Sequence, residues 1–188
     1  MRVYLPATLA VAADLLSSGS LPGPLAAYAV TDALRAWADG SDQSDGADQS
    51  GPSDDEELEL VALSEAARGS LRLIAADLAD GRGGSARRVV LAADVPDARV
   101  RVDDRSDDAG PGQATVTETV SLAWVRAVHV DAAELEPQVR VAAAQVRAAD
   151  AADSAAAEAA EAVVASLAEH ELLWYAPEEL ALVVAARA

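Results

Sequence analysis

Residues Ala86–Pro96 read Ala-Arg-Arg-Val-Val-Leu-Ala-Ala-Asp-Val-Pro, and the centre of the stretch, Val89–Ala93, is apolar at every position. A strand with one face in water alternates apolar and polar residues; an unbroken apolar run of this length is how a strand covered on both faces reads. The Gly-rich segment 81–84 leads into it as a turn. Asp94 and Pro96 end it, because proline has no N–H to give to a sheet ladder. The stretch is expected to be the sheet element against which helices on either side pack.

Working towards the N-terminus, Glu56–Asp80 is expected to be a helix, with Leu60, Leu63, Ala67, Leu71, Ile74 and Leu78 recurring every three or four residues. Asp54, Asp55, Glu56 and Glu57 stand at its start, where the macrodipole favours negative charge. Gly69, inside it, costs about 1 kcal/mol relative to Ala and marks either close packing or a break. Val3–Leu5 is a short strand ended by Pro6, and Thr8 caps a helix carrying Leu9, Ala12, Leu15 and Leu16 that stops at Gly19. Leu21–Pro24 reads as a turn. Leu25–Val30 is ambiguous by periodicity; a strand is favoured, because Pro24 precedes it and Thr31, a helix cap, follows.

Towards the C-terminus, Ala98–Val102 has a half-exposed edge pattern, Thr115–Leu122 alternates, and Val125–Val130 is a strand around His129. Two Ala-rich helices follow, at 137–149 and 154–169, then a strand at Glu171–Ala176 and a helix opened by Pro177. Interspersed strands and helices give an α+β (mixed α/β) fold: a single mixed β-sheet packed with helices, with the Ala-rich helix pair near the C-terminus.

The 188 residues are expected to form one domain, 1–188. Segment 40–55 is Ser, Asp, Gln and Gly with no large apolar side chain, and it reads as a disordered acidic insertion. Its acids do not fit a calcium loop, since they are spaced by threes and position twelve is Ser53 instead of Glu. With aromatic residues at 3% and no Phe, the core must be built from Ala, Val and Leu.

The formal charge is −18, and the 14 basic residues are all arginine. Lys and Asn are absent, Ile occurs once, and Ala, Asp, Arg, Val and Gly abound, a bias that reads as a GC-rich genome. Such acidity opposes phosphate-backbone binding and anionic membranes; nucleic acid and membrane are not expected partners. The arginines at 82, 87, 88, 99 and 101 are the close clusters, and they are expected to pair with Asp94, Asp97, Asp103, Asp104, Asp107 and Asp108 or with the acidic insertion. No uncharged apolar run approaches the ~20 residues that span a bilayer. Met1–Ala13 loosely mimics a signal peptide, but Pro6 and Thr8 interrupt it and one basic residue precedes it, so the expected location is cytoplasmic.

No cysteine is present, so neither a thiolate metal site nor a Cys nucleophile is available. Without lysine, a Walker-type loop and Schiff-base chemistry are excluded. Gly81-Arg82-Gly83-Gly84 precedes a strand, so it is no dinucleotide fingerprint. No cofactor and no metal are expected. Two constellations remain. His129 and Asp131, with Glu134 nearby, would share a face if the strand ran on, and an imidazole with a carboxylate can hold a metal or move a proton. The plainer reading is a histidine at a strand end, bonded locally. His170 and Glu171 precede Trp174 and Tyr175, which face opposite sides of a strand: one is expected in the core, the other exposed beside a pocket or interface. The plainer reading there is core filler and a surface histidine.

Met1-Arg2-Val3-Tyr4-Leu5-Pro6-Ala7-Thr8, Val89–Pro96 and His170-Glu171-Leu172-Leu173-Trp174-Tyr175 together resemble an uncharacterised family of small actinobacterial proteins, a domain of unknown function, over nearly the whole chain apart from the insertion. The resemblance implies no activity, and no residue inherits a role from it. Two functions stand open: an acidic cytosolic protein acting by protein contact or self-association, and a small-molecule or metal-binding enzyme using His129, Asp131 and His170.

Overall fold

The computed structural model describes residues 1–42, 55–82, 84–102, 112–150 and 154–185. The expected central strand is β4 (Val89–Asp94), flanked by β1 (Arg2–Ala7) and β8 (Val125–Val130). From β1 the sheet continues through β3 (Leu25–Tyr28) and β6 (Gln113–Val116) to β5 (Val100–Val102). Beyond β8 it ends at β9 (Leu173–Tyr175). The seven strands lie in the order β5-β6-β3-β1-β4-β8-β9. Every pair in it is antiparallel. The α+β architecture is the one read from the sequence, but the pairing is antiparallel throughout where a mixed sheet was expected. Alternation of helix and strand does not fix strand direction.

Both faces of β4 are covered. Val89, Leu91 and Ala93 join Val3 and Leu5 of β1 in a core closed by α1 (Leu9–Ser18) and α6 (Leu180–Ala185). Val90 and Ala92 point the other way, with Tyr4 and Tyr28, onto Leu58, Ala62, Ala66 and Ala67 of α3 (Asp55–Ala79). Burying one Val or Leu is worth ~1.5–3 kcal/mol, and β4 does so on two sides. The far half of α3, through Leu71, Ile74 and Ala75, packs on α4 (Glu136–Asp150) and α5 (Ser154–Ala168).

The caps are those expected. Val11 N–H donates to Thr8 Oγ1 at 3.3 Å, and Gly19 closes α1 in the left-handed region at φ 76°. Leu34 N–H donates to Thr31 Oγ1 at 3.1 Å, starting α2 (Asp32–Asp42). The acidic insertion lies, for residues 43–54, outside the described residues; its first three residues, 40–42, belong to α2 and its last, Asp55, to α3, where disorder was expected.

Four details depart from the reading. β1 runs through Pro6 to Ala7; β1 pairs with β4 over six residues but with β3 only at Tyr4–Tyr28, so the missing N–H is tolerated. Leu21–Pro24 is not all turn: β2 (Ser20–Leu21) pairs with β7 (Val120–Ser121) in a separate ribbon. The expected strand 115–122 is split, because Gly23 packs onto the backbone of Glu118, where a Cβ would stand 2.6 Å from its carbonyl oxygen. The stripe on α3 holds at Ala67, Leu71 and Ile74, which are buried, but not at its start: Leu60 is 62% exposed, while Leu58, Ala62 and Ala66 face the sheet. In an alanine-rich chain the leucines alone misplace the buried face there.

Gly69 is a site of close packing in an unbroken α3. A Cβ there would stand 2.7 Å from Pro6 Cγ. Beside it, buried Ser70 donates through Oγ to Ala7 O at 2.6 Å and accepts from Val89 N–H at 2.9 Å, tying α3 to both central strands. Among the described residues no helix is long and apolar enough to cross a membrane.

Candidate functional site

Antiparallel register decides which side chains meet. Val90 lies opposite His129, and His129 opposite Trp174. Directly opposed residues share a face, so His129 and Trp174 stand on the α3 side of the sheet. Tyr175 opposes Val128 and packs against the other core. The Trp174–Tyr175 pair divides as the alternation required.

On the α3 side these residues line a groove of about 280 Å³. Leu60, Leu63 and Arg68 of α3 form one wall. Val164 and Ala168 of α5 and the His170–Leu172 connection form the other, with His129 and Arg88 at the base and Trp174 at the rim. The structure therefore brings together His129 of the first constellation with His170, Glu171 and Trp174 of the second. Trp174 is 61% exposed. His129 is half-buried, and its imidazole makes no hydrogen bond among the described residues; burial holds the imidazole below the usual histidine range.

Asp131 is elsewhere. β8 ends at Val130, and Asp131 is 0% exposed beneath the groove. Its carboxylate is held by Arg88: Nε donates to Oδ2 at 3.0 Å, Nη2 to Oδ1 at 2.7 Å, and the Arg88 backbone N–H to Oδ2 at 2.7 Å. Arg88 Nη2 also donates to Leu167 O at 3.0 Å. Arg87 Nε donates to Asp131 O at 2.8 Å. The proposed sharing of a metal or proton between His129 and Asp131 is thus replaced by a buried ion pair joining β4, β8 and the end of α5. Glu134 is exposed in a 3₁₀ turn. Among the described residues no three His, Asp or Glu side chains converge as metal ligands.

The knot accounts for part of the arginine cluster. Arg87 and Arg88 are buried; Arg82 pairs with Asp77 and Asp80, and Arg99 with Glu118, stacking over Trp124 at 5.0 Å. Arg82, Arg88 and Arg99 pair with acids, but with Asp77, Asp80, Asp131 and Glu118 and not with those expected, and Arg87 donates to a backbone carbonyl. An arginine beside a strand buried on both faces needs a buried partner, and that was the available signal for Arg88. Leu60 and Leu63 were visible only as helix periodicity.

A larger hollow, about 470 Å³, lies between the start of α1, the end of α3 and residues 84–86. None of the candidate side chains lines it. Its polar groups are already engaged: Arg82 as above, and Ser85 Oγ donating to Glu136 Oε2 at 2.8 Å. The groove, where the candidates converge, is the better site.

The edge beside the groove is unusual. β5, the opposite edge, carries Arg101, a charge of the kind that blunts edge pairing. β9 reads Leu-Trp-Tyr, with Leu173 45% exposed.

No curated protein and no solved structure matches the chain. A family model does match, over residues 1–184, a span that takes in the nine strands described above and all of the six helices but the last residue of α6, and the chain accordingly belongs to the family of unknown function DUF6912.

Proposed function

We propose that the chain acts by protein contact through the α3–α5–β9 groove and its Trp174 rim. The observation that carries this reading is the exposure of Trp174 and Leu173 on an uncharged sheet edge beside a groove with an aliphatic wall of Leu60, Leu63 and Val164. Exposed aromatic anchors next to a pocket are the usual energetic centre of an interface. Nucleic acid has no part in this reading, since the arginine clusters are paired or buried. An actinobacterial source with a GC-rich genome and a cytoplasmic setting fit the composition and belong to the same proposal.

A second reading has its own observation: two imidazoles, His129 and His170, line one groove. At about 280 Å³ it sits near the low end of the ~300–1,000 Å³ of small-molecule sites, and Asp131 is not available to it.

The test is a pull-down from the native host with metabolite extraction, comparing wild type, Trp174→Ala and His129→Ala/His170→Ala. Contact predicts partners that vanish with Trp174→Ala and persist in the double histidine variant. A bound metabolite that depends on the histidines, with no partner dependent on Trp174, would replace the contact reading with the second one.

A further inference from the structure

Resting on the contact reading, we infer that β9 takes an extended, cationic segment of a partner protein as an added antiparallel or parallel strand, its apolar side chains seated against Trp174 and Leu60. Three observations meet here. Among the described residues the strand has a neighbour on one side only, so half of its backbone groups are open to pairing. It contains no charge, bulge or proline to discourage a partner.

The rim supplies the third, which is charge. Glu169, Glu171 and Glu178 flank β9 at both ends, all exposed, and none makes an ion pair or hydrogen bond among the described residues. The cations near them are spent: Arg68 pairs with Glu65 and Glu161, and Arg88 with Asp131. On a chain of net charge −18, such a rim attracts lysine or arginine and repels a second copy, which would bring the same glutamates face to face. Because β9 has three residues, its backbone bonds are few, and the side-chain groove and the charges must supply the rest.

The test is a fluorescence-anisotropy titration of the full chain with a labelled Lys-Val-Lys-Val-Lys-Val-Lys-Val peptide. Two control peptides accompany it, one N-methylated at alternate residues, one with Glu replacing Lys. Strand addition predicts that the parent peptide binds and that both controls bind at least about tenfold more weakly, a loss of ~1.4 kcal/mol. Trp174→Ala and the pair Glu171→Gln/Glu178→Gln should each weaken it, as should raising salt from about 0.05 to about 0.5 M. Equal binding of the N-methylated peptide overturns strand addition, because backbone pairing is then not used. So does a failure of every peptide, or a Trp174-dependent dimer seen by sedimentation. If the peptides fail while Trp174→Ala still strips partners in the pull-down, strand addition falls and the contact reading stands. If neither responds to Trp174, both fall.

Discussion

Asp131 is surrounded by donors from Arg88 and by no water-accessible surface. Its side chain is worth most as half of a pair: removing one partner of a buried ion pair leaves the other charged and unsolvated. Asp131→Ala is therefore expected to cost about 3–5 kcal/mol, while Arg88→Met/Asp131→Leu together should recover much of it. Urea melts of the three proteins check this; a single-variant loss below about 1 kcal/mol would mean that solvent reaches Arg88. His129 gives a prediction of the opposite kind. Burial lowers its folded-state pKa, so the unfolded chain takes up the proton first as pH falls through about 6.5. Stability contributed by the neutral imidazole is present above that pH and is lost below it. The melting temperature should fall between about pH 7 and pH 5.5, and His129→Gln should flatten that slope. The carboxylates held low by partners, Asp94 by Arg2 and Arg126 and Glu136 by Ser85, the Ala86 N–H and Arg140, against an opposing effect of burial, act in a more acidic range. An unchanged slope in His129→Gln would assign the effect elsewhere.

At the scale of elements, β4 and α3 carry the fold. Leu91 and Val90 are buried on opposite faces. Leu91→Ala should cost ~2–5 kcal/mol, and Val90→Asp should prevent folding, since it places an unpaired charge between the sheet and α3. Soluble, cooperatively melting Val90→Asp protein would contradict the packing described. Gly69→Ala tests the helix. In an open helix that exchange gains about 1 kcal/mol, but here the new methyl meets the rigid ring of Pro6 at 2.7 Å. Overpacking of ~1–3 kcal/mol should win and lower stability; a gain would show that α3 can lift from β1. These elements also mark how far the sequence was readable. Val89–Ala93 announced its burial because both faces are apolar. Thr8, Gly19 and Thr31 announced helix ends because caps are local chemistry. The buried face at the start of α3 did not show, because alanines at 62 and 66 make the contact and a leucine at 60 does not. The groove was legible only as its parts: His129, His170 and Trp174 were visible singly, whereas their convergence depends on the β4–β8–β9 register, a long-range fact. Arg88 with Asp131 was hidden for the same reason, the two being 43 residues apart.

For the whole molecule, charge is the governing quantity. Net charge −18 destabilises a compact state through self-repulsion, and salt near 0.15 M screens it beyond about 8 Å. Surface ion pairs such as Arg68–Glu161 and Arg126–Asp94 contribute little individually, ~0–1 kcal/mol. The melting temperature is therefore expected to rise when sodium chloride is added to a low-salt solution at neutral pH. A fall would show that these surface pairs outweigh the global repulsion.

The pairing of β1 with β4 bears on how the chain is made. Arg2 and Asp94 are 92 residues apart, and the middle strand of the sheet leaves the ribosome long before its main neighbour. At ~5–20 residues per second, β1 waits roughly 5–20 s as an apolar segment with only Tyr28 of β3 to ladder against. Until β4 arrives, α1, β3 and then α3 are at hand to shelter it. A nascent chain that stalls between the two strands exposes the most buried part of the mature protein, so synthesis rate over residues 8–88, more than any surface feature, should decide how much of it aggregates.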